Sequence, residues 1–476
     1  MAATIPELSL LSLSDDESNL VTALRTDLME HRFRLELLDS YFNGEQLVRD
    51  LGISIPPQLK GLHTVIGWPR IGVEALEQRL DLEAFRWADG AGAEDLREIA
   101  EANDLWDESS LAHLDALTYG REYISVGSGD CGTGDCPPLI TAESPLDMTL
   151  FWDARARVAT SALRESVEDG VRVVTLYLPD QTVHAAESST GGWEVFDRDV
   201  HMLGVVPVVR MANRQRTADR VGKSEITPEV MSITDAACRR LMGMEVAAEF
   251  FGAPQRYILG ASESAFQDAD GNTKSAWETY MGRVLALEAD EEGNVPTVGQ
   301  FAAHDPTGMT KIIDLYARIM ATQLGLPPHM LGYTSDNTAS ADAIRSSEAM
   351  LVKKAERRTR RFGGAWSDVM RLALWVRDGE PLPRERRIEC VWRNPATPTL
   401  AQQTDAAVKM VQANILPADG DVVLEMAGLT EDQRQRVAAE RRRAAGRQVL
   451  DRLSQLGNED EPDEEPGEPG DGDDGF

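Results

Sequence analysis

Apolar positions along this chain recur first at helical and then at strand spacing. Leu20, Leu24, Leu28, Phe33 and Leu37 predict a helix over about 17–41. After Pro56-Pro57, the positions Ile71, Leu76 and Leu80 predict a second over about 62–80, with Pro69 in its first turn. Leu96, Ile99, Leu105, Leu111 and Leu114 predict a third over about 95–118. The pattern then shortens to strands at about 122–126, 138–141, 171–178, 182–186, 193–197 and 205–211. Helical spacing returns at about 229–251, through Val230, Ile233, Ala237, Leu241, Met244, Ala247 and Phe251, with many small residues between them. A short, turn-prone insertion follows, and then a helix over about 309–324. The fold class predicted is α+β.

The most informative stretch begins where that last helix stops at Pro327-Pro328. A polar segment leads into a pattern free of proline from about 340 to 376, with Ile344, Leu351, Ala355, Phe362, Trp366, Val369 and Ala373 as one apolar stripe. As one helix it would span about 55 Å, against roughly 11–12 residues for the average globular helix. Such a length suits a strut in an assembly. Its other faces carry Lys353, Lys354, Arg357, Arg358, Arg360 and Arg361. That basic band either pairs with acids of neighbouring chains or faces nucleic acid, and its lack of interleaved aromatics favours the first. A strand at about 387–392 and helices near 399–414, 420–427 and 430–455 complete the pattern.

The chain has 476 residues and a formal net charge of −32. Its final stretch, Glu459 to Asp474, carries acids broken by Pro and Gly and no base, a composition that predicts disorder. The body stays strongly acidic without it. This argues against gripping nucleic acid over the whole surface, which requires Lys and Arg to neutralise phosphates. It is compatible with a wall past which DNA slides. No uninterrupted apolar run approaches about 18 residues, so no membrane span is predicted, and the N-terminus lacks the layout of a secretory signal.

The chemistry-bearing motifs are weak. Gly127 to Gly132 spells G-x-G-x-x-G, but Cys136-Pro137-Pro138 follows where a helix would have to open, so a hairpin turn is the better reading. Asp268 to Asn272 resembles the start of a calcium loop with its glycine misplaced. The four cysteines, Cys131, Cys136, Cys238 and Cys390, are not clustered for a metal and are expected to be reduced. The histidines are scattered singly. No catalytic residue, cofactor or metal site is predicted.

Several segments, in order, resemble the portal proteins of tailed bacteriophages, in particular those of siphoviruses infecting actinobacteria and Bacillus. They are Trp68-Pro69-Arg70 with Val73 to Leu76 and Arg79-Leu80, then Tyr119 to Tyr123, and Leu203 to Val209 running into Asn213-Arg214. Gly222 to Ile226, Glu249 to Arg256, Leu326 to Gly332, Ala339 to Ile344 and Glu356 to Gly363 continue the series. The resemblance covers about residues 40–450. It implies a homo-oligomeric ring of about twelve subunits at one capsid vertex, through which double-stranded DNA is packaged and ejected. The implied partners are the terminase large subunit, a head-completion or adaptor protein, and the major capsid and scaffold proteins. The implied locations are the virion and, during assembly, the host cytoplasm.

Mapped onto this chain, the resemblance implies an N-terminal α+β wing over 1–228, a stem helix over 229–253, a clip over 254–305 and a second stem helix over 306–331. A tunnel loop over 332–340 would face the channel through Tyr333, Thr334, Ser335, Asp336, Asn337 and Thr338. The long helix and a return strand to the wing would occupy 341–397, a helical crown 398–455 and the acidic tail 456–476. The rival reading is a non-conduit oligomeric scaffold of a viral capsid.

Overall fold

The computed structural model describes residues 11–47, 64–90, 92–129, 136–189, 191–251, 256–260, 295, 297–300, 307–332 and 341–458. It divides into two compact units. The first comprises Met1–Leu80 and Ile99–Arg384, and the second comprises Asp81–Glu98 and Glu385–Phe476.

Near the start of the first unit, a short strand β1 (Leu11–Ser12) precedes α1 (Asp15–Asn43). Ser14 and Glu17 form a reciprocal capping box at the N-terminus of α1, and Gly44, at φ 77°, closes the helix in the left-handed conformation. The helix α2 (Trp68–Glu77) is shorter than the predicted span of 62–80, and Pro69 lies in its first turn as expected. The single helix predicted over 95–118 is two, α3 (Glu94–Ala102) and α4 (Leu105–Tyr119). Asp104 between them adopts φ 46°, a left-handed conformation that Asp and Asn tolerate better than most residues. Asn103 holds the break: its amide donates to the carbonyls of Ile99 and Pro138, and its oxygen accepts from the Ile140 amide at 2.8 Å.

Beyond α4, β3 (Arg121–Ser128) is the middle strand of a three-stranded antiparallel sheet, between β10 (Val208–Ala212) and β4 (Pro138–Glu143). The strands β5 (Met148–Asp153), β6 (Val158–Glu168), β7 (Val171–Tyr177), β8 (Thr182–Glu187) and β9 (Trp193–Asp199) form an antiparallel meander, and β1 adds to it beside β9. The sequence reading missed β5 and β6. The run Val158-Ala-Thr-Ser-Ala-Leu-Arg-Glu-Ser-Val-Glu168 has few large apolar residues, and its core contribution rests on Ala162 and Leu163.

Two apolar clusters lie in this region. Val21 and Leu24 of α1 pack on Leu163, Val174, Leu176, Val183, Ala185 and Val195 of the six-stranded sheet. Tyr123, Met148, Leu150, Ala162, Val206 and Val208 join that sheet to the three-stranded one. The N-terminus of α1 is also pinned electrostatically. Glu17 is ion-paired with Arg198 of β9 and accepts from Gln181 at 3.0 Å.

The helix α5 (Pro228–Phe251) packs against α6 (Thr307–Leu324). Between them in sequence lies the antiparallel pair β11 (Arg256–Leu259) and β12 (Thr297–Gln300). A 3-10 turn, Pro328–Leu331, ends at Gly332 with φ 83°. The strut predicted near 340–376 is α7 (Ala341–Asp378), 38 residues long. It packs on β3, β4 and β10, and Leu351, Ala355, Phe362, Trp366, Val369 and Ala373 of its predicted stripe are all buried. The side chain of Ile344 falls outside the described residues. Gly363-Gly364 do not interrupt the helix.

In the second unit, β2 (Leu82–Trp87), another strand missed from sequence, pairs antiparallel with β13 (Ile388–Trp392). Three helices follow: α8 (Leu400–Gln412), α9 (Asp421–Met426) and α10 (Glu431–Asn458). Arg434 lies in the first turn of α10. It is buried and ion-paired with Asp421, Glu425 and Glu431, whereas Arg436, Arg442, Arg443 and Arg447 are exposed. Cys136 is disulfide-bonded, which corrects the expectation of reduced thiols throughout, while Cys238 and Cys390 form no disulfide.

Bonding to Arg198 is the main reason that the Glu17 carboxyl falls from 4.5 to about 2. A depressed carboxylate stabilises the fold above its unfolded pKa and loses that contribution as pH falls through the folded value. Glu17→Gln should therefore cost on the order of 1 kcal/mol at neutral pH. Urea titrations of both proteins should show this difference intact above about pH 4.5 and fading as pH falls towards 2. A difference that does not vary with pH would show that the charge is not the source.

Candidate functional site

The long helix is the feature from which an architectural role was inferred, so what fixes it in place is the first question. Two contacts do so. At its apolar centre, the Trp366 indole donates to His113 Nε2 of α4 at 2.9 Å, and the His113 ring stacks on Phe362 with centroids 5.3 Å apart. Burial pushes His113 down to about 3, so the imidazole is neutral and can accept from the indole. His113 is a packing residue here.

The second contact is a buried carboxylate. Glu225 lies just before α5 and is 4 % exposed. Arg358 donates to its Oε1 at 2.6 Å, and Lys354 Nζ and Arg214 Nη1 approach its Oε2 at 3.5 and 3.8 Å. The fully buried Asn213 amide donates to Glu225 Oε1 at 3.1 Å and to the Lys223 carbonyl at 2.9 Å. Lys354 also donates to the Leu324 carbonyl at the end of α6, at 2.6 Å. One carboxylate thus joins α7, the end of α6, the loop after β10 and the start of α5.

The loop takes this path because it runs against the end of α4. Asn213 N donates to the Gly120 carbonyl, and Glu225 N donates to the Leu117 carbonyl. Gly222 adopts φ 117°, and a Cβ there would lie 2.0 Å from the Gly120 carbonyl oxygen. Only glycine fits this approach.

Burial alone would raise the Glu225 carboxyl, but Lys354, Arg358 and Arg214 outweigh it and hold the group below the ordinary carboxylate range. For Lys354 burial dominates and lowers the ammonium even with Glu225 beside it. The always-charged guanidinium of Arg358 is therefore the dependable counter-ion in this node.

The structure divides the predicted basic band. Lys354 and Arg358 turn inward onto Glu225. Lys353 pairs with Glu356 one turn on, while Arg357, Arg360 and Arg361 are exposed. The candidate channel residues Tyr333, Thr334, Ser335, Asp336, Asn337 and Thr338 lie outside the described residues. Among the described residues no group of His, Cys, Asp or Glu is arranged to hold a metal, and no helix is long and apolar enough to cross a membrane. Sequence reasoning missed the roles of Glu225 and Asn213. The signal available was that Asn213-Arg214, Gly222 to Ile226 and Glu356 to Gly363 each carry the family resemblance, and these segments meet here.

The family model described as "Phage portal protein, SPP1 Gp6-like" matches residues 24–447. The portal protein of Mycobacterium phage D29 is 38% identical over 380 residues, covering 78% of this chain and 77% of that protein. The portal protein of Mycobacterium phage L5 is 37% identical with the same coverage. Among solved structures, the neck of a native GTA particle computed with C12 symmetry aligns at 14% identity and a TM-score of 0.44, covering 76% of this chain and 90% of that one.

Removing one partner of a buried ion pair strands the other charge, at a cost of about 3–5 kcal/mol. Glu225→Ala should show a loss of this size in chemical denaturation. Glu225→Gln combined with Arg358→Met should recover part of it, because both charges then leave the core. A loss under about 1 kcal/mol for Glu225→Ala would mean that water reaches the node and screens it.

Proposed function

This chain belongs to the SPP1 Gp6-like family of phage portal proteins, and from that membership we propose that it forms the ring-shaped conduit at one capsid vertex through which double-stranded DNA is packaged and ejected. The observation that carries the reading is the family match, which runs from α1 into α10. The architecture supports it. Two packed helices, α5 and α6, flank a two-stranded insertion and are followed by a 38-residue helix.

In this reading α5 and α6 are the stem, and β11 and β12 belong to the clip. The sheets and α1 to α4 are the wing, and α8 to α10 are the crown inside the head. The clip is the docking platform for the terminase large subunit during packaging and for the head-completion or adaptor protein afterwards. The ring contacts the major capsid and scaffold proteins at the vertex. Energy for packaging comes from the terminase, and this chain supplies the passage. The acidic body suits a passage, because like charge keeps DNA from adhering to its wall.

The ring requires a head-to-tail contact that closes after a fixed rotation. Native mass spectrometry of the purified chain should show one closed species of about twelve or thirteen copies, and negative-stain images should show a central hole wide enough for a duplex. Dimers or tetramers as the largest species would overturn the conduit and favour a non-conduit scaffold.

Within the conduit, the polar segment Tyr333 to Thr338 is assigned to the narrowest point of the channel. Polar side chains without bases touch phosphates but hold them weakly, since affinity grows with the number of phosphates neutralised. Asp336→Lys with Asn337→Lys should slow packaging or ejection and leave ring assembly intact. If cross-linkers at these positions never reach DNA in filled capsids, the assignment is wrong.

A further inference from the structure

The basic residues next to the Glu225 node behave differently from those inside it. On β3 and β10 the register pairs Tyr123 with Arg210 and Arg121 with Ala212, so Arg121 and Arg210 share one face of the sheet as diagonal neighbours. Arg121 is 8 % exposed, and its buried Nε has no hydrogen-bond partner. Arg210 is half-buried, with its guanidinium 4.6 Å from the centroid of the Trp152 ring. The helix α7 packs on both strands and carries Arg361, and the loop after β10 carries Arg220.

These cations feel one another. Burial lowers Arg210, and Arg121 and Arg361 lower it further. Burial and Arg220 do the same to Arg361. Among the described residues, none of the four guanidinia makes an ion pair or a side-chain hydrogen bond with a protein group. A like-charge cluster of this kind is unfavourable in an isolated chain, and in a chain of net charge −32 carboxylates to neutralise it are abundant elsewhere.

We propose that Arg121, Arg210, Arg220 and Arg361 form the receiving side of a contact between two copies of this chain, filled by carboxylates of the adjoining copy. The occupant follows from charge and shape. Two copies at −32 repel unless one side of their contact is locally positive, and a head-to-tail interface, whose two sides differ, allows that. The planar guanidinium fork matches a carboxylate, so Asp or Glu is the side chain suited to the cluster. Arg121 is buried and Arg210 half-buried, which limits screening by salt on that side of the cluster, while Arg220 and Arg361 lie open at its edge.

The proposal rests on the ring reading above, and the test separates the two. Full-length wild type, Arg220→Ala with Arg361→Ala, and Arg220→Lys with Arg361→Lys are compared by native mass spectrometry along a series of salt and protein concentrations. Both positions are exposed, so the substitutions spare the core. The expected result is a wild-type ring, a double-alanine variant whose subunit association is on the order of tenfold weaker, and near-normal assembly of the double-lysine variant. The isolated double-alanine subunit should melt no lower than wild type, because relieving like-charge repulsion cannot cost stability; a residue needed only for folding would lower both. Double-alanine rings as resistant to salt and dilution as wild type would overturn the proposal. So would intact rings that lose only their binding to a short DNA duplex, measured by fluorescence anisotropy, since the patch would then serve nucleic acid. A wild type that forms no ring would overturn the underlying ring reading itself.

Discussion

Burying an ionised carboxylate is tolerable only when cations and hydrogen-bond donors replace the water it loses, and Glu225 meets that condition by drawing on distant parts of the first unit. Arg358 and Lys354 come from the middle of the long helix, Asn213 and Arg214 from the loop after β10, and Lys354 reaches on to the Leu324 carbonyl. A contact so assembled is weak evidence of stability in itself. Its effect is on register. Sliding α7 by one turn against the sheet would keep an apolar stripe in the core but would leave Glu225 without its guanidinium. The apolar stripe makes the helix bind, and the carboxylate fixes where it binds. The stack of His113 between α4 and Phe362 adds a second fixed point four residues further along.

For a conduit this distinction has mechanical content. In the proposed assembly the long helix starts just after the segment assigned to the channel. Displacement at that segment would pass into the helix, which is held first where Glu348 pairs with Arg79 and Leu351 is buried, and then at the Lys354–Arg358 stretch. From there the load is shared with α6 through Leu324 and with α5 through the backbone around Glu225. The two paired helices, the long helix and the loop after β10 would thus be coupled at one buried charge within a single subunit.

The elements that were legible in the sequence are those whose pattern is local. The long helix announced itself by the absence of proline and by Leu351, Ala355, Phe362 and Trp366 at three-four spacing, and those side chains are the buried ones. The paired helices around an insertion were equally clear. The strands β5 and β6 were not, because Met148, Thr149 and Leu150 are buried in succession, Ala162 and Leu163 likewise, and Trp152 and Val158 are exposed, so hydrophobic alternation is faint. The break at Asn103-Asp104 was missed for a related reason: the apolar spacing carries on across it, and what ends the helix is a side chain bonded to a strand 35 positions away. The Glu225 node could not be read at all from spacing. Its closest partner, Arg358, is 133 residues distant, and neither Gly-Lys-Ser-Glu nor a run of basic residues on a helix has a local signature of burial.

The basic band shows why charge patterns on a helix underdetermine their use. Six cations on the non-core faces looked equivalent in sequence, yet neighbours one residue apart have opposite fates. Arg358 points at the core side of the loop and is neutralised within the chain, whereas Arg357 remains in solvent. Arg361 lies near Arg210 of β10 and Arg220 of the following loop instead of a carboxylate. The helix advances 100° per residue, so a band of basic residues wraps around it, and the surrounding sheet decides which members find an acid.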